Sequence, residues 1–98
     1  MATLPPGGQW CIEFKGLRAK DSMLKAVAAA LEFPPHFGHN LDALYDCLTD
    51  LPLQKGQRYL VVLDNLERSP AGDAIHTVFV DARQWWADQG VTFALTRE

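Results

Sequence analysis

Asp42, Asp46 and Asp50 recur every four residues in a stretch, Ala26 to Gln54, that has no lysine or arginine and also carries Glu32. Carboxylates so placed could work as a general acid–base pair, join His36 and His39 around a metal, or face a cationic partner as fixed negative charge. Acid–base work needs environments that separate two pKa values, and exposed positions on one helix give little reason for that. Metal binding meets a poor spacing, because His36-x-x-His39 straddles Gly38 and is not the i,i+4 pair of a helical zinc site. No Ser-His-Asp set, phosphate-cradling glycine loop or Cys-His neighbourhood is legible, so no catalytic residue, metal or cofactor is assigned and the chain is not expected to be an enzyme.

The third chemistry remains. An acidic helix face is most simply a solvated one. Here, however, Tyr45 projects between the aspartates and a leucine face, and His36, Phe37 and His39 lead into the helix. An aromatic ring beside uncompensated carboxylates suits a basic protein partner, the ring giving contact area and the charges steering.

The elements that must hold these residues follow from periodicity. Asn40 can cap a helix whose Leu41, Leu44, Leu48 and Leu51 share one face, with the three aspartates about 6 Å apart per step on the other and Pro52 as its stop. Like charges at that spacing repel, so stability alone does not select the stripe. Before it, Trp10 to Lys15 reads as a strand, Asp21 as the N-cap of a helix through Leu31, and Phe33-Pro34-Pro35 as its terminator. Tyr59 to Leu63 reads as a central strand covered on both faces. Ser69 to Gly72 reads as a breaker cluster, with room for a short helical turn, preceding a long helix with Ile75, Val78, Phe79, Ala82 and Trp86 inward and Gly90 as its stop. Val91 to Leu95 supplies the last strand. The order β-α-α-β-α-β implies an α/β domain with a small parallel sheet.

The chain's 98 residues suit one domain, with residues 1–9 expected as a loose lead-in and 10–98 as the folded unit. A net charge of −3 disfavours direct binding of nucleic acid, and no apolar run is long enough to span a membrane. The opening residues lack signal-peptide character, making the cytoplasm the expected address. Cys11 and Cys47 read as reduced, partly buried thiols, and His76 as a surface residue.

The run Phe33-Pro-Pro-His-Phe-Gly-His-Asn-Leu-Asp-Ala-Leu-Tyr-Asp-Cys-Leu-Thr49 resembles the barstar family, intracellular inhibitors of barnase-like ribonucleases, most closely from Gly38 to Thr49. That resemblance implies a barstar-like, three-stranded parallel sheet packed with three to four helices in the order β-α-α-β-(α)-α-β. It also implies a loop and helix that plug a nuclease active site, with Asp46 as the principal phosphate mimic and Asp42 as its neighbour. His36 stands where the family's best-known member has tyrosine, Tyr45 where it has tryptophan, and Asp81 where it has a glutamate making a peripheral contact. Phe37, Gly38, Asn40, Thr49 and Asp50 complete the expected partner-binding set. The implied partner is a basic ribonuclease or toxin nuclease, met by a free monomer. The alternative is a module of the same fold that binds another basic protein.

Overall fold

The computed structural model describes residues 8–97. Its elements are β1 (Gln9–Glu13), α1 (Lys20–Leu31), α2 (Leu41–Leu48), β2 (Arg58–Asp64), α3 (Pro70–Asp88) and β3 (Thr92–Arg97). The three strands are parallel in the order β1-β2-β3, which with three helices makes the expected α/β fold. Most of the expected lead-in, residues 1–7, lies outside the described residues, and Gln9 already belongs to β1.

Local chemistry sets the helix ends, and it departs from the sequence reading in three places. Asp21 does not cap α1. Ala19 holds the extended N-cap position, and Asp21 sits in the first turn, where its carboxylate favours the positive helix end and meets Lys25 at 3.0 Å. Ser69 to Gly72 is the start of the long helix itself rather than a breaker or a separate short turn before it. The Ser69 hydroxyl accepts the Gly72 N–H at 3.2 Å, Pro70 fills the first turn, and a Cβ at position 72 would collide with the Glu67 carbonyl. Finally, α2 ends at Leu48, short of Pro52, with Thr49 at the C-cap position and its hydroxyl donating back to the Tyr45 carbonyl at 2.9 Å.

β2 is central, but among the described residues helices cover it on one face only. Trp10 and Ile12 of β1, Tyr59, Val61 and Leu63 of β2 and Phe93 of β3 are buried beneath the helices with Leu24, Leu44, Phe79 and Trp86. On the opposite face the register rows are Gln9–Leu60–Ala94 and Cys11–Val62–Thr96, with Gln9, Cys11, Ala94 and Thr96 exposed. Topology explains the one-sidedness. In a sheet ordered β1-β2-β3, two crossovers of the usual right hand fall on the same side. Val62 on this face is nonetheless buried, between Cys11 and Thr96 in register, and Cys11 is exposed instead of partly buried. Among the described residues no helix is long and apolar enough to cross a membrane.

Candidate functional site

The site is built on α2. Asn40, in extended conformation, accepts the Ala43 N–H on Oδ1 at 2.8 Å, and its Nδ2 donates to the Gly38 carbonyl at 3.0 Å. One side chain therefore starts the helix and ties down the loop before it. Leu44 and Leu48 are fully buried, with Leu51 beside them, which fixes the helix's rotation. Asp42 and Asp46 consequently stand exposed on the outer side.

Asp50 does not continue that stripe on the helix. With α2 closed by Thr49, Asp50 lies in the following turn, its N–H donating to the Cys47 carbonyl at 3.2 Å, and it too is exposed. None of the three aspartates forms an ion pair among the described residues. Their charge also reaches the neighbouring thiol: Cys47 is pushed above its ordinary value by burial first, and then by Asp46 and Asp50.

Asp42 and Asp46 share an open groove of about 400 Å³ with Leu41 and Tyr45 of α2 and with Val78 and Asp81 of α3. The floor is apolar and the rim carries three carboxylates. Helical geometry explains why α3 contributes this pair, since Val78 and Asp81 lie three residues apart on one side of it. Tyr45 is half-buried in the groove, as expected of a residue between two faces. From sequence, Leu41 and Val78 read as core positions. Their place in the groove was signalled only by Val78's i,i+3 relation to Asp81.

The loop from Phe33 to Asn40 divides its residues differently from the sequence reading. Phe37, expected to meet a partner, is only 6% exposed and packs against Phe33 with ring centroids 5.1 Å apart. His39 is exposed, adopts a left-handed φ of 44° and sets its ring edgewise against Phe37 at 5.1 Å. His36 and Gly38 are exposed. Phe37 thus anchors the loop from below, while His36, Gly38 and His39 form its outer surface. Thr49 is half-buried and occupied in closing the helix, and Asn40, although exposed, is occupied in opening it. Among the described residues no three His, Cys, Asp or Glu side chains come together as a metal site.

Residues 9–98 match the family described as "Barstar (barnase inhibitor)". A relative from Bacillus subtilis (strain 168) that bears the name "Putative ribonuclease inhibitor YrdF" is 52% identical over 42 residues, a stretch covering 40% of this chain and 40% of that protein. A match from β1 to the last residue, on a parallel three-stranded sheet carrying an Asn-capped, leucine-anchored helix, leaves one conclusion: the chain belongs to the barstar family.

Proposed function

We propose that this protein inhibits a basic ribonuclease in the cytoplasm by seating α2 and the loop before it in the enzyme's active site. The observation that carries this reading is the pair Asp42 and Asp46, exposed on a buried-leucine helix, with Asp81 across the groove and no ion pair at any of them among the described residues. A ribonuclease must hold cationic groups where a phosphodiester reacts, and positioned carboxylates satisfy the same groups without offering a bond to cleave. Inhibition is then occupation. Asp46 takes the principal phosphate position and Asp42 its neighbour, while Tyr45 and His36 give flat contact area and Asp81 and Asp50 extend the negative field. Because Leu44 and Leu48 lock the helix, the carboxylates lose little freedom on binding.

The test is co-expression with a barnase-type ribonuclease from the same genome, scored for growth, with wild-type chain and with Asp42 and Asp46 both changed to alanine. Rescue by the wild type that the double variant loses is expected. Equal rescue by both would move the site elsewhere, and toxicity unrelieved by the wild-type chain would remove ribonuclease inhibition as the function.

A further inference from the structure

The groove at α2 uses one flank of α3; the opposite flank borders the outer edge of β3. Taking about 100° per residue, Val78, Asp81 and Trp85 lie roughly 180° around α3 from His76, Val80, Arg83 and Ala87. A second open groove, of about 440 Å³, runs between this flank and β3, lined by Arg83 and Ala87 on one side and Gly90 to Ala94 on the other.

Two independent features define what this groove can take. The first is its backbone. The Thr92 N–H donates to the Gln57 carbonyl at 3.0 Å, and among the described residues β3 is paired on one side only. In a parallel ladder alternate residues turn both backbone groups to the same side, so Thr92, Ala94 and Thr96 serve β2. The N–H and C=O groups of Phe93 and Leu95 then face the open edge.

The second feature is charge. On a chain of net charge −3, this groove carries Arg83 and no acidic residue in its lining. Arg83 lines the groove and, like Arg68, makes no ion pair among the described residues, whereas Arg97 meets Asp73 at 2.7 Å. His76, on the same flank, is held below its ordinary value by burial and then by Arg97 and Arg83, with Asp73 opposing and Arg68 adding less, so Arg83 acts on this side of α3.

We propose that the outer edge of β3 is a docking site for an acidic extended peptide segment, which adds to the sheet as a fourth strand. Backbone pairing to Phe93 and Leu95 supplies the register and Arg83 supplies the sign of charge accepted. A second copy of this chain fits poorly, because pairing two β3 edges about a two-fold axis would bring two sets of unpaired arginines together. The same arginines therefore discourage self-pairing of an exposed edge and admit a negative strand.

The probe is an end-blocked hexapeptide alternating glutamate with valine, and its counterpart has lysine for glutamate. The readout is amide hydrogen exchange resolved by NMR. Saturating glutamate peptide is expected to slow Phe93 and Leu95 about tenfold or more and leave Cys11 and Glu13, on the other edge, unchanged. Arg83→Glu, an exposed substitution, is expected to abolish that protection and allow it with the lysine peptide. Four results overturn the proposal: no protection at millimolar peptide, equal protection by both peptides, protection of Cys11 and Glu13 instead, or protection that grows with protein concentration without peptide. The last would assign the edge to a second copy. None of these depends on ribonuclease binding.

Discussion

The indole N–H of Trp86 donates to the carbonyl oxygen of Leu48 at 2.9 Å, joining α3 to the C-terminal end of α2 in the protein's interior. This carbonyl belongs to the last turn of α2, where the helix has no further amide of its own to offer. Trp86 is 7% exposed and lies edge-on to Trp85 at 4.8 Å, so the bond is both buried and oriented. It fixes the distance between the two helices that form the acidic groove. Trp86→Phe should leave the Leu48 carbonyl unsatisfied and a gap where the indole was, costing about 2 kcal/mol in urea-melt stability. If the variant melts with the wild type, this bond does not hold α2 to α3.

Asp46→Ala should separate binding from folding. Its carboxylate is exposed and forms no ion pair among the described residues, while Asp42 one turn earlier repels it. Removing it should leave stability unchanged or raise it by about 0.2–0.5 kcal/mol, the usual size of an i,i+4 charge effect. Affinity for the target ribonuclease should fall by more than about 2 kcal/mol, the usual threshold for a central contact. Calorimetry showing a loss under about 0.5 kcal/mol would remove Asp46 from its leading role.

Phe37 and His36 should behave in opposite ways. Phe37 packs inward against Phe33, so Phe37→Ala should cost about 3–5 kcal/mol of fold stability, as a large aromatic deletion does. His36 is exposed, and His36→Ala should leave the melt within about 0.5 kcal/mol of wild type while weakening ribonuclease binding. Thermal melts beside inhibition titrations distinguish the two. A Phe37→Ala protein of native stability would return Phe37 to the contact surface.

That contrast shows where sequence reading succeeds and where it stops. The leucines of α2 repeat at helical spacing, so burying Leu44 and Leu48 dictates that Asp42 and Asp46 face out. Phe37 lies in a loop after two prolines, where no period says which ring turns inward; the choice is made by Phe33, brought close by the left-handed turn at Glu32. Tyr59 to Leu63 reads as apolar throughout, yet Leu60 and Val62 face the side of the sheet where their register neighbours Gln9, Ala94, Cys11 and Thr96 are exposed. Asp81 and Val78 join the groove only because α3 packs on α2, a long-range contact that local pattern does not encode.

Asn40→Ala isolates the helix start. Asn40 supplies the capping oxygen for the Ala43 N–H and ties the Gly38 carbonyl, so its loss should cost about 1 kcal/mol. The first turn carries Asp42, and fraying there should also lower affinity for the ribonuclease. Asn40→Asp, which keeps the capping oxygen, should recover most of the stability. Equal melts for the alanine and aspartate variants would mean that the cap contributes nothing.

A last expectation concerns pH. His76 is held below its ordinary value of 6.5, mainly by burial and then by Arg97, Arg83 and Arg68, with Asp73 opposing. Below pH 6.5 the unfolded chain therefore binds a proton at this position that the folded chain resists. More protons on the unfolded state means that stability falls as pH falls. The loss should begin near pH 6.5 and level off once the folded imidazole is also protonated. Glu13, held below 4.5 chiefly by the Asn65 side-chain amide and the Lys15 N–H, has the same sign in a lower window, with its contribution present above 4.5 and lost as pH drops further. His76→Asn should flatten the upper part of the profile and leave the lower part in place. Urea melts at half-unit pH steps between 7.5 and 5 would resolve the upper step. A wild-type profile that stays flat there would show that His76 titrates alike in both states.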